Sequence, residues 1–131
     1  MLHPNDFKVD EAWIAFRMND APITTEIDGD FNILALMDAA SCFILGAEFV
    51  DATSAEPSQA EAKRLIKRGK SHKQQLPKTL YIPENLSAEV LCAEAKRNSI
   101  SVVRVPEMQL LVFIREAREG LKQHIGGGSV Q

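Results

Sequence analysis

Residues 31–50 read FNILALMDAASCFILGAEFV, the most apolar block in the chain, and its reading decides the fold. Phe31, Ile33, Ala35 and Met37 alternate with Leu34 and Leu36, so both faces are apolar. That pattern suits a strand covered on both sides. Cys42 to Val50 carries enough aromatic and branched side chains for a second strand. Between them stands Asp38-Ala39-Ala40-Ser41. Asp and Ser form turns because their side chains bond nearby backbone groups. The stretch predicts a β-hairpin at the centre of a sheet, with Asp38 ending its first strand.

Upstream, Ala12, Ile14 and Phe16 alternate with Trp13, Ala15 and Arg17, which predicts an edge strand over 12–18. Asn19 to Pro22 reads as a turn, Ile23 to Ile27 as a short extended segment, and Asp28-Gly29-Asp30 as the turn into the hairpin. Downstream, Pro57 suits the first turn of a helix running to about Arg68, with Gly69 as its C-cap. Ala62, Leu65 and Ile66 mark its inner face. Residues 69–78 read as a loop and Thr79 to Ile82 as a strand. Ser87 is the expected N-cap of a second helix, whose inner stripe is Ala88, Leu91, Cys92 and Ala95. Asn98 closes it. Ile100 to Val105 is a strand stopped by Pro106, and a last helix is expected from Met108 to about His124. Strands 79–82 and 100–105 are joined by a helix, so they should run parallel with a right-handed crossover. The fold class is therefore α/β: a mixed sheet with an antiparallel hairpin, then helix, strand, helix, strand, helix. One domain is expected over 1–125, with a flexible tail at 126–131.

A chain of 131 residues can bury a core without staples. Its 45% hydrophobic and 25% charged residues are ordinary for a globule. The opening MLHPNDFKVDEAW shows no secretory pattern, and the longest apolar run, Leu110 to Ile114, is too short to span a bilayer. A cytoplasmic address and no membrane contact are expected. Cys42 and Cys92 read as free thiols in apolar settings. The net charge of −3 hides an asymmetry: residues 1–61 carry −10 and residues 62–131 carry +7.

Two groups of residues can carry chemistry. Between Lys63 and Lys78 lie seven Lys or Arg, His72 and no acid. Lys63, Arg64, Lys67, Arg68, Lys70 and Lys73 could neutralise phosphates. The simpler reading is a solvated face, with cations near a helix C-terminus complementing its dipole. No aromatic residue is interleaved, so base stacking is not supported. The second group is acidic: Asp38 at a strand end, Glu84 after another strand, and Glu107, Glu116 and Glu119 on the last helix. Carboxylates converging from neighbouring strand ends can hold Mg²⁺ or Mn²⁺. Alternatively Asp38 is a turn residue, Glu84 a loop charge and the others solvent-facing. No zinc spacing, phosphate loop or nucleophile elbow appears.

The segment ILALMDAASCFILGAEF resembles the first hairpin of the ribonuclease-H-like fold, as in retroviral-type integrase and transposase cores. In that family an apolar strand ends in a catalytic Asp, and Asp38 takes its place. TLYIPENLSAEVLCAEAKRNSISVVRVP resembles the later strand–helix–strand part, and Glu116 and Glu119 stand where the family has its final carboxylate. The resemblance covers about 31–120. It implies metal ligation by Asp38, Glu84 and Glu116 or Glu119, with the basic run holding a phosphate backbone. The chain also departs from the family. Pro83-Glu84-Asn85 stands where the family has Asp after its fourth strand, and Val50 to Pro57 leaves no room for a third antiparallel strand. What the resemblance then implies is a reduced form, similar to small bacterial domains of unknown function. The expected function is a non-catalytic interaction or regulatory module, with a protein partner or self-association through a sheet edge or helix face. The alternatives are a metal-dependent nucleic-acid-processing enzyme, and nucleic-acid binding without catalysis.

Overall fold

The structure, a computed structural model, describes residues 1–27, 29–72 and 74–121 in full; of Lys73 and 122–130 it gives only a place in a helix, and Asp28 and Gln131 lie outside it. Among the described residues, five strands form one sheet: β1 (Ala12–Arg17), β2 (Phe31–Asp38), β3 (Ile44–Asp51), β4 (Thr79–Pro83) and β5 (Ser101–Val105). Their order is β3-β2-β1-β4-β5. The helices are α1 (Gln59–Lys73), α2 (Glu89–Arg97) and α3 (Leu111–Val130). Short 3-10 turns precede β1 and α3. β1 pairs antiparallel with β2 and parallel with β4, and β4 pairs parallel with β5. The α/β class, the mixed sheet and the parallel β4–β5 pair agree with the sequence reading.

The position of β1 does not. Expected at an edge, it is the central strand. Ala12, Trp13, Ile14, Ala15 and Phe16 are all buried to 1% exposure or less. Trp13 and Ala15 pack with Leu34, Leu36, Leu80 and Ile82 under α1 and α2. Ala12, Ile14 and Phe16 pack with Ala35, Met37, Phe113 and Ile114 under α3. A strand apolar on both faces must be covered on both faces, and this one is the shorter but more deeply covered. The hairpin β2–β3 therefore forms one side of the sheet, with β3 at its edge. There Phe49 turns to water at 66% exposure while Val50 faces the core.

Helix boundaries also move. α1 begins after Ser58, whose hydroxyl accepts from Glu61 N while the Glu61 carboxylate accepts from Ser58 N. It runs through Gly69 and ends at Gln74, which takes the left-handed conformation at φ 57°. Gly69 is no cap. It lies where α1 crosses β1 and β2, and a Cβ there would stand 2.6 Å from Trp13 Cη2 and 2.8 Å from Leu36 Cδ2. The basic stretch 70–73, read as loop, is thus helix. Nor does Ser87 cap α2: Ala88 precedes the helix, and Val90 N donates to Glu56 Oε1 at 2.7 Å. The boundary expected between a domain at 1–125 and a tail at 126–131 lies outside the fully described residues.

Candidate functional site

Asp38 ends β2 as expected, and it is 2% exposed. Its carboxylate accepts three hydrogen bonds, one at Oδ1 and two at Oδ2. Oδ1 accepts from Asp10 N at 3.0 Å, and Oδ2 from Ser41 N at 3.0 Å and Ser41 Oγ at 2.7 Å. This is the work of a turn residue: it fixes the hairpin and the chain entering β1. Beside it, the Cys42 thiol is pushed up by burial, then by the charges of Glu116 and Asp38. A thiol so placed is a poor nucleophile.

Glu84 lies at the other end of the sheet. Asp38 pairs with Trp13, and Trp13 pairs with Leu80, four residues before Glu84. At ~3.3 Å per residue that is about 13 Å along the strands, before the lateral spacing is added. Direct ligands of one ion stand at ~2.0–2.6 Å from it, so Asp38 and Glu84 cannot share one. Glu84 is an exposed loop residue. Its backbone is held by Val105 O, at 2.7 Å from Glu84 N, and by Arg104, whose guanidinium donates to the carbonyls of Pro83, Glu84 and Leu86. Glu116 and Glu119 are exposed on α3, and Glu119 lines an open apolar cleft with Met1, Leu111 and Val112. Among the described residues, no group of three or more His, Cys, Asp or Glu is placed to hold a metal ion. The expected carboxylate set is not assembled.

The carboxyl ends of β1, β4 and β5 are where open α/β sheets place their ligands. There the chain puts arginines. Arg118 of α3 is 20% exposed and reaches back to the end of β1. Its Nε and Nη2 donate to Arg17 O at 3.2 and 2.9 Å, Nη2 also meets Glu107 Oε1 at 3.1 Å, and Nη1 lies 3.5 Å from Asp20 Oδ1. A cleft of about 230 Å³ opens beside this clamp, lined by Arg17, Asp20, Pro83, Asn85, Leu86, Glu107 and Arg118. Two carboxylates on one guanidinium do not leave the donor set a hard divalent cation needs. Sequence reading missed this cluster because Arg17 and Arg118 are 101 positions apart and each reads as an ordinary surface cation.

The basic run is divided by its partners. Glu48 on β3 is 6% exposed and binds both arginines: Arg64 Nη2 lies 2.9 Å from Oε1, and Arg68 Nη1 lies 3.0 Å from Oε2. The bond to Glu48 pushes the Arg64 guanidinium up. Arg68 also donates to the Ala47 carbonyl, covering part of the β3 edge. Lys63 stands near Glu94, whose carboxyl is held below its ordinary value chiefly by the hydrogen bond from Arg97. Lys67 and Lys70 face water, and the Lys73 side chain lies outside the described residues. The chain does bring an aromatic residue here. Phe43, from the β2–β3 turn, stacks on His72 with ring centroids 4.6 Å apart and planes 24° from parallel. Phe43 remains 51% exposed. No spacing along the sequence could reveal it, because the hairpin supplies the ring and α1 the charges.

No family model and no curated protein matches the chain. Among solved structures, it is similar to a chain of the simian T-cell lymphotropic virus intasome, solved by cryo-electron microscopy in complex with the PP2A regulatory subunit B56 gamma. The TM-score is 0.54 at 10% sequence identity; the match covers 90% of this chain and 37% of that one. A likeness at this identity is one of fold. No helix among the described residues is long and apolar enough to cross a membrane.

Proposed function

We propose that this chain is a non-catalytic interaction module on a ribonuclease-H-like fold. One observation carries the reading: the end of the central strand holds Arg17 and the Arg118 clamp where that family needs a carboxylate. With β1 at 12–17, the chain supplies three antiparallel strands ahead of α1 and β4, the order the family has. That order supports the reading, since β1 can serve as the strand for which Val50 to Pro57 leaves no room. The same shift moves the family's first-strand position from Asp38 to the end of AWIAFR, which has no acid. Asp38 ends the second strand, and a fold-level likeness brings no activity without the site. The interaction surface fits β3, an edge strand with Phe49 exposed beside Phe31 at a ring distance of 5.1 Å.

The test is a cleavage assay with single- and double-stranded DNA and RNA in Mg²⁺ or Mn²⁺, run beside light scattering over a range of protein concentrations. The expected outcome is no cleavage, with concentration-dependent association reduced by Phe49→Glu. Metal-dependent cleavage that disappears in Glu84→Gln would overturn the reading.

A second reading has its own observation. The Phe43–His72 stack adjoins Lys67, which lines the same open cleft as His72, and so joins an exposed ring to a cation, the pairing that holds single-stranded nucleic acid without sequence preference. Salt-sensitive oligonucleotide binding would support it.

A further inference from the structure

The Arg17 cleft does not end at the clamp. A second cleft of about 170 Å³ adjoins it, and both are lined by Arg17, Asn85 and Leu86. The second is walled by Leu34, Val50 and Pro57 and closed by the segment Ser54 to Pro57 ahead of α1. Side by side, the two reach the lower range of ligand pockets, ~300–1,000 Å³. Both are mixed: the first sets Arg17, Arg118 and Asn85 beside Asp20 and Glu107, and the second sets Leu34, Val50, Pro57 and Leu86 beside Asn32, Ser54, Glu56 and Ser87.

Arg17 stands on the wall between them with most of its donors unengaged. Its Nη2 donates to Asp20 O at 3.0 Å, and among the described residues its guanidinium makes no ion pair. The neighbouring carboxylates are held elsewhere. Asp20 and Glu107 meet Arg118, and Glu56 accepts from Val90 N. Among the described residues, then, Arg17 is a half-buried cation at a strand end in no ion pair with a carboxylate. A guanidinium in that state presents a planar fork that fits a phosphate or carboxylate. The loops entering α1 and α2 border the same cleft.

We propose that this double cleft binds a small molecule with a phosphate or carboxylate head and an apolar body, the head on Arg17 and Asn85, the body against Leu34, Val50 and Leu86. The proposal goes beyond the interaction-module reading and does not need it, since cleavage and association assays leave the cleft untouched.

The experiment is a calorimetric titration of the full chain with phenyl phosphate, benzoate and inorganic phosphate. Saturable binding of phenyl phosphate or benzoate is expected, and the tighter of the two names the head group. Inorganic phosphate should bind about tenfold more weakly than phenyl phosphate, because it has no apolar body to bury. Arg17→Gln should weaken binding by about tenfold or more, the value of a charge-assisted hydrogen bond pair. Circular dichroism establishes that the variant is folded. If it is not, Ala55→Trp, on the exposed rim, serves instead: it should abolish the preference for phenyl phosphate over inorganic phosphate by filling the second cleft. No saturable binding of either aromatic probe overturns the proposal. So does wild-type affinity in a folded Arg17→Gln, an unchanged preference in Ala55→Trp, or loss of binding in Lys67→Ala with Lys70→Ala, which would put the anion on α1.

Discussion

Gly69 illustrates how one residue can serve two opposite tendencies. In an isolated helix, Gly69→Ala would gain about 1 kcal/mol of propensity. Here the added carbon would press on the Trp13 ring and on Leu36, all three being buried. Overpacking of this kind costs about 1–3 kcal/mol. Set against the ~1 kcal/mol gain, Gly69→Ala is therefore expected to lower stability by up to about 2 kcal/mol in urea denaturation, the reverse of the propensity prediction. Asp38→Asn is expected to destabilise by about 1–3 kcal/mol, because an amide NH₂ must face the Ser41 or Asp10 donor that a carboxylate accepts. A loss of stability in that variant is the mark of the turn role. Glu94 gives a pH signature. Its carboxyl is depressed below its ordinary 4.5, so in that interval the unfolded chain binds the proton and the folded one does not. The contribution is complete above the ordinary value and disappears as pH falls through the depressed one. In acid titrations of stability, Glu94→Gln should flatten the curve below about pH 4.5 and leave its slope near neutrality unchanged.

At the scale of elements, α3 is tied to the sheet in two ways. Phe113 and Ile114 are fully buried against Ile14 and Phe16, and Arg118 bonds the last carbonyl of β1. Arg118→Met keeps the aliphatic stem but leaves Glu107 and Arg17 O without that donor. A loss of about 1.5–3 kcal/mol is expected, with faster amide exchange concentrated in α3 and the end of β1. Uniform acceleration across the sheet would count against the clamp. Much of the element order was legible in the sequence, because period-2 alternation in β2 and β5 and helical spacing in α2 are local signals. Boundaries were less so. Gly69 reads as a stop signal until Trp13 is known to lie beneath it. Ser87 reads as a cap until Glu56 arrives from another loop. The place of β1 was hidden for a different reason: Ala12 to Phe16 are apolar on both faces, but strand order depends on which helices cover them. With β1 misplaced, Asp38 and Glu84 read as strand-end carboxylates that could converge, whereas the pairing of β2, β1 and β4 puts them at opposite ends of the sheet.

At the scale of the whole molecule, the basic second half is not the uniform positive face its count of cations suggests. Arg64 and Arg68 are paired with Glu48, Arg104 meets loop carbonyls and Glu89, and Arg118 is bound by Asp20 and Glu107. Among the described residues of α1, the cationic side chains left to an anionic polymer are Lys63, Lys67 and Lys70. This limits the nucleic-acid reading quantitatively. Each neutralised phosphate contributes a salt slope of about −0.7 for a single strand, so three lysines give about −2. The six or so cations of the whole run would give about −4. Oligonucleotide binding by this face should therefore show the shallower slope, about −2, in fluorescence anisotropy. Replacing Lys63, Lys67 and Lys70 by Ala should remove most of that slope, and Phe43→Ala should weaken binding without changing it, because stacking releases no counterions. Arg64→Ala with Arg68→Ala is the discriminating control. It should lower stability by leaving the buried Glu48 unpaired, yet leave the salt slope near −2. A slope near −4 that falls when these two arginines are removed would mean that they leave Glu48 to meet the polymer, and that α1 presents one continuous basic surface when bound.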